Sequence, residues 1–123
     1  MKKKILIINT GGTLSSVAKE HGLTPDITTD SMMKELHIVA GEAELTTMDF
    51  MSLDSANIFP EDWAKLAEII SDNRDKYDGM VVIHGTDTMA YTSSMLSFML
   101  QNIPIPVVIT GSQLSISDPR SEE

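Results

Sequence analysis

Four short apolar runs punctuate the chain: Lys4 to Asn9, Glu42 to Phe50, Gly79 to Ile83 and Pro106 to Thr110. The first, third and fourth are near-continuous, as in strands covered on both faces, whereas the second alternates more. Between them the period changes to that of a helix. From Pro60, the positions Trp63, Leu66, Ala67 and Ile70 share one face; Pro60 suits a first helical position, and Glu61 and Asp62 suit a helix amino terminus. A second helix is predicted from Thr88 to Gln101, with Met89, Leu96, Met99 and Leu100 as its buried stripe. A shorter one is expected around Ser31 to Ile38. The polar stretch Ser15 to Asp30, with Gly22 and Pro25, reads as a long loop of the kind that serves as a lid.

Strands alternating with helices imply right-handed crossovers and a parallel sheet. The expected architecture is α/β: a flavodoxin-like, three-layer parallel sheet with strand order 2-1-3-4, strands 1 and 3 being neighbours. No internal repeat, low-complexity segment or inter-domain linker interrupts the pattern.

Composition narrows the class. A chain of 123 residues, 41% hydrophobic and 22% charged, is ordinary for one soluble globular domain. The net charge of -9 argues against nucleic-acid binding and against adhesion to acidic membranes. With no cysteine, disulfide and thiolate chemistry are excluded. The start Met1-Lys2-Lys3-Lys4 superficially resembles a signal peptide. The apolar run behind it is only Ile5 to Ile8, too short for that, and reads as a strand; a cytoplasmic location is the default.

Chemistry is concentrated at two strand ends. Thr10-Gly11-Gly12-Thr13 follows the first run and His84-Gly85-Thr86-Asp87-Thr88 follows the third. In a parallel sheet such ends open onto one crevice, where ligands bind. Gly11-Gly12 lacks the spacing of a dinucleotide fingerprint, so a tight turn that lets backbone approach a substrate is the better reading. Thr13 can be a helix cap or a hydroxyl aimed into the crevice. Thr86 and Asp87 can equally be good capping residues at a helix start or a hydroxyl–carboxylate pair for catalysis. His84, at the end of an apolar strand, reads as a satisfied structural histidine. His21 and His37 show no ligand spacing with it, so no metal and no cofactor are assigned. The nine methionines are explained by packing.

These motifs carry a family resemblance. Thr10-Gly11-Gly12-Thr13 with His84-Gly85-Thr86-Asp87-Thr88-Met89 is similar to the L-asparaginase family. Asp54-Ser55, Pro60-Glu61-Asp62-Trp63, Ala90 to Leu100 and Thr110-Gly111-Ser112-Gln113 resemble its cytoplasmic type I branch. The resemblance implies hydrolysis of L-asparagine, or of L-glutamine, through a threonine acyl-enzyme. It implies Thr13, Thr86 and Asp87 as catalytic residues, the last two in a relay with a lysine. It implies Asp54, Ser55, Gly12 and Gly85 as the substrate-binding set. The expected partner is a small-molecule substrate, with no nucleic acid and no membrane, and a homo-oligomer in the full-length form.

Two departures from the family pattern matter. A lid tyrosine is replaced by Leu23 in His21-Gly22-Leu23-Thr24-Pro25, which should slow acylation. The family's lysine lies downstream of Glu123. Residues 1–123 are therefore expected to form an incomplete amino-terminal domain, without the carboxyl-terminal domain and without full activity. The alternatives are an asparaginase-like subunit of a glutamyl-tRNA amidotransferase, or an inactive amino-acid-binding fragment.

Overall fold

A computed structural model gives the fold, and it describes residues 2–11, 16–19, 22–25, 41–50 and 58–113. The elements run β1 (Lys4–Asn9), β2 (Ser16–Lys19), β3 (Gly22–Pro25), β4 (Glu44–Asp49), α1 (Pro60–Asn73), β5 (Gly79–Ile83), α2 (Met89–Met99) and β6 (Val107–Thr110). Four of the strands form a parallel sheet in the order β4-β1-β5-β6. Counted without the small hairpin, that is the expected 2-1-3-4, with the first and third runs paired.

The register is flush at one end. Asn9 is opposite both Asp49 and Ile83, and Ile83 is opposite Thr110, so all four strands finish in one row. The next residue of three strands donates its N–H back into that row: Phe50 to Asn9 O at 2.9 Å, Thr10 to Ile83 O at 3.0 Å, and His84 to Thr110 O at 2.9 Å. Backbone groups that would be orphaned where the strands stop are thereby paired, and the rim is held to the sheet.

Both described helices lie on one face. The crossover from β4 to β5 and that from β5 to β6 run in the same direction, so right-handedness sends both to the same side. There Leu66, Ala67 and Ile70 of α1 and Leu96 of α2 pack on Leu6, Ile8, Met80 and Val82. Each of the larger fully buried side chains among these, Leu, Ile, Met or Val, contributes about 1.5–3 kcal/mol. On the opposite face Ile7 and Ile83 are also buried, with Ile5, Leu45 and Val81 beside them. The third layer of the expected architecture, and the short helix expected at Ser31 to Ile38, lie outside the described residues.

The start of α1 is closed as its sequence suggests. Asp62 is buried, its carboxylate accepts the Phe59 N–H at 2.8 Å, and its own N–H donates to Phe59 O at 2.9 Å. An acidic group here also faces the positive end of the helix dipole.

Two expectations are corrected. Within Ser15 to Asp30, read as a loop, β2 and β3 form an antiparallel pair, with Val17 opposite Thr24 and Ala18 opposite Leu23. Lys19 pairs with Gly22, a connection short enough for a tight hairpin. The strands are too short and too polar in sequence to show alternation, so the apolar pattern does not reveal them. The stripe of α2 is also rotated. Its buried residues are Thr92 and Leu96, while Met99 is 39% exposed. The inward line follows Thr92, Leu96 and the partly buried Leu100 at four-residue steps, because Thr92 is drawn into a buried hydrogen-bond network.

Candidate functional site at the strand ends

The two threonine motifs begin against each other. Thr10 follows Asn9, and its N–H and hydroxyl both donate to the carbonyl of Ile83, at 3.0 and 2.7 Å. Ile83 immediately precedes His84, so the β1 and β5 turns leave the sheet side by side. Asn9 sets the first turn: its carboxamide oxygen accepts the Gly11 N–H at 3.0 Å, and its amide donates to Asp49 Oδ1 at 3.3 Å. Gly11 has φ of 101°, a conformation that a side chain would strain.

At the β5 end the side chains divide between interior and surface. His84 is 1% exposed, and both ring nitrogens are engaged: Nδ1 lies 2.6 Å from Gly85 O and Nε2 lies 2.9 Å from Thr92 Oγ1. The same threonine hydroxyl accepts the indole N–H of Trp63 at 2.8 Å. The satisfied structural histidine read from the sequence is what the structure contains. Beyond it the chain emerges: Gly85 is buried, Thr86 is half-buried and Asp87 is exposed, just ahead of α2. The amino terminus of α2 thus sits behind Thr86 and Asp87, where its dipole favours negative charge.

Gln113 is the residue that sequence reasoning did not single out as part of the site. Its Nε2 amide donates to Thr86 Oγ1 at 2.8 Å. The hydroxyl oxygen accepts there and keeps its own hydrogen available for a base. Gln113 can reach because Gly111 passes so close to the β5 turn that a Cβ on it would collide with His84 O. Two signals pointed to it: the family resemblance, carried in part by the Thr110-Gly111-Ser112-Gln113 segment, and its position. Gln113 lies three residues past Thr110, at the next strand end of the same row.

Of the predicted site residues, Gly85, Thr86 and Asp87 are described and lie together on this rim. Gly12, Thr13, Asp54 and Ser55 lie outside the described residues. Among the described residues no group of three His, Asp or Glu side chains could hold a metal ion. A groove of about 340 Å³ between α2 and β6 is lined by Leu96, Leu100, Val107 and Ile109 among others, and contains neither a titratable group nor a predicted site residue. None of the described helices is long and apolar enough to cross a membrane.

A parallel α/β sheet with threonine-bearing turns at adjoining carboxyl ends is the arrangement at which open α/β sheets generally bind small ligands. Comparison with known proteins makes the assignment. The chain belongs to the asparaginase family, matching the model for its amino-terminal part (Asparaginase, N-terminal) over residues 4–123. It is 45% identical over 120 residues to the L-asparaginase of Thermococcus kodakarensis, covering 97% of this chain and 37% of that protein. It is 40% identical over 127 residues to L-asparaginase 1 of Escherichia coli, covering 98% and 37%. A glutamyl-tRNA(Gln) amidotransferase subunit of Methanosphaera stadtmanae is 38% identical over 124 residues, covering 98% and 28%. The solved structure of the Thermococcus kodakarensis thermostable L-asparaginase superposes with a TM-score of 0.84 over 96% of this chain and 36% of that one. A probable cytoplasmic L-asparaginase of Campylobacter jejuni does so at 0.77 and 30% identity, over 98% and 36%. The chain therefore spans about 37% of the length of the first curated relatives that it matches.

Proposed function

We propose that this chain is the amino-terminal portion of an L-asparaginase, hydrolysing L-asparagine to L-aspartate and ammonia. The observation that carries the reading is the pairing of β1 with β5, which starts the Thr10–Thr13 and His84–Thr88 motifs against one another through the Thr10–Ile83 hydrogen bonds. In this reading the Thr13 hydroxyl adds to the side-chain carboxamide carbon, and its proton passes to the departing nitrogen. Ammonia leaves, and an ester to Thr13 remains. Water then adds to the ester, and its proton returns to the threonine as aspartate is released. A neutral hydroxyl is a poor nucleophile and needs an adjacent base. Thr86 and Asp87, with the family's lysine, supply that activation, and Gln113 holds the Thr86 hydroxyl in place. Backbone N–H groups at the start of α2 are suited to the developing oxyanion. Asp54 and Ser55 grip the amino and carboxylate groups of the substrate, and Gly12 and Gly85 let the backbone approach it.

Residues 1–123 are then an incomplete amino-terminal domain of a larger, homo-oligomeric cytoplasmic enzyme. The coverage of about 37% of the relatives supports the first part, and the Campylobacter relative supports the compartment. The test is ammonia release from asparagine by the 123-residue chain and by a version extended through the family's lysine. The extended form should be faster by orders of magnitude, because the relay acts as a unit. In it, Thr86→Ala should lower turnover by ~10³-fold or more while leaving the circular dichroism unchanged. Equal rates in the two lengths would remove the lysine from the mechanism; no asparagine hydrolysis in either would overturn the reading. The likeness to the amidotransferase subunit keeps a second reading, recognised by amide transfer that appears only with charged tRNA and a partner protein.

A further inference from the structure

We propose that His84 is a positioning residue, whose imidazole fixes the peptide between Gly85 and Thr86, and that Thr92 and Trp63 hold that imidazole in the required tautomer. Its effect on rate rests on the catalytic reading of Thr86 and Asp87; its geometry stands independently.

The proton assignment follows from the partners. A carbonyl only accepts, so Nδ1, 2.6 Å from Gly85 O, carries a hydrogen. An indole N–H only donates, so Trp63 Nε1, 2.8 Å from Thr92 Oγ1, uses a lone pair of that hydroxyl. The hydroxyl hydrogen then completes the chain by donating to Nε2 at 2.9 Å. The neutral Nδ1–H tautomer satisfies every group in a region where His84 and Thr92 are 1% and 0% exposed. An unsatisfied member there would be costly.

The consequence is directional. Gly85 has no side chain to limit its torsions, so its peptide could swing. Everything before it is clamped: the His84 N–H bonds to Thr110 O at 2.9 Å, and Gly111 lies against His84 O. The imidazole removes the remaining freedom by holding the Gly85 carbonyl towards the interior. No described peptide is cis, and in a planar trans peptide C=O and N–H point in opposite directions. Holding the carbonyl inward therefore aims the Thr86 N–H away from the buried ring and fixes where the Thr86 side chain departs. Through Thr92 and Trp63, the turn is also tied to both described helices.

Two substitutions separate this from packing. The carboxamide of His84→Asn places a donor near the Nδ1 position and can keep the Gly85 bond. That of His84→Gln reaches the Nε2 position and keeps the Thr92 bond instead. Residual dipolar coupling of the Thr86 N–H reports the peptide plane directly in the 123-residue chain. The parent and His84→Asn should share one coupling, and His84→Gln should differ. Identical couplings in all three, or equal departures in both variants, would overturn the proposal. Ring ¹⁵N shifts of the parent, which need no variant to fold, should show hydrogen on Nδ1; hydrogen on Nε2 alone would equally overturn it. In the extended enzyme, kcat should fall about tenfold or more in His84→Gln and within about threefold in His84→Asn, with KM little changed, since small misplacements of reacting groups are costly. If the extended parent turns over no asparagine, the functional reading fails while the couplings still decide this one.

Discussion

The ends of β1 and β5 bear similar residues and differ in where the first threonine falls. At β1 the first threonine of its motif, Thr10, is 4% exposed and directs both its N–H and its hydroxyl at a single neighbouring carbonyl. At β5 the polar residue in the equivalent place is His84, also buried, and the threonine two residues on reaches the rim with its hydroxyl held by Gln113. The first residue past each strand, Thr10 or His84, is buried and tied to a neighbouring strand, whereas Thr86, two residues further on, is half-buried at the rim. A Thr-Gly motif is thus two kinds of threonine. The distinction is made by how many residues separate each from the last paired strand position.

The largest test of the β5 side is Gly111→Ala. The added methyl would run into His84 O, against backbone that cannot rotate aside. Either the β6 end retreats, losing the His84–Thr110 and Gln113–Thr86 bonds, or the β5 turn does. Overpacking of this kind costs roughly 1–3 kcal/mol, and the upper end is expected because the clash is with main chain. Urea denaturation should show it. A cost near zero would mean that the two strand ends are not in contact.

Thr92→Val probes the same turn from beneath. The change removes the acceptor of the Trp63 N–H and the donor to His84 Nε2 in one step. Buried His84 and half-buried Trp63 each lose a partner, for an expected loss of about 2 kcal/mol by denaturant titration. Indole fluorescence should shift as the Trp63 N–H seeks solvent. An unchanged midpoint would show that water or another side chain can replace the hydroxyl, and the contrast between the two strand ends would narrow.

The sheet was legible because its signals are local and strong: continuous runs such as Ile5-Leu6-Ile7-Ile8 and Met80-Val81-Val82-Ile83, separated by a helix that begins at Pro60 with acidic residues. Their alternation, with right-handed crossovers, leaves few strand orders. The hairpin was not legible, since four-residue strands such as Ser16–Lys19 and Gly22–Pro25 carry too little apolar alternation to stand out. Nor was the burial of Thr92, because a polar residue on the inward line of a helix reads as an outward one unless its partner is known. That partner, His84, is adjacent only in the fold. In the site, the turn from Gly85 to Asp87 was found from its place at a strand end and from family resemblance. Gln113 lay within the Thr110–Gln113 resemblance, but its bond to Thr86 required the register of β6 against β5.

The smallest expected effect sharpens the β1 side. Thr10→Val keeps the shape of the side chain and removes one hydroxyl. Its partner, Ile83 O, is left with the Thr10 N–H at 3.0 Å, so the carbonyl stays satisfied. No buried group is orphaned, unlike in Thr92→Val, and the buried methyl contributes apolar contact in return. The net change should be within about 1 kcal/mol, the typical worth of one hydrogen bond, as read from chemical denaturation. The rate of asparagine hydrolysis by the extended form should be nearly unchanged, because Thr10 spends its hydroxyl on the sheet. A loss of turnover approaching that of Thr86→Ala would break the comparison at its root, since it would give the buried threonine of β1 a part in the chemistry.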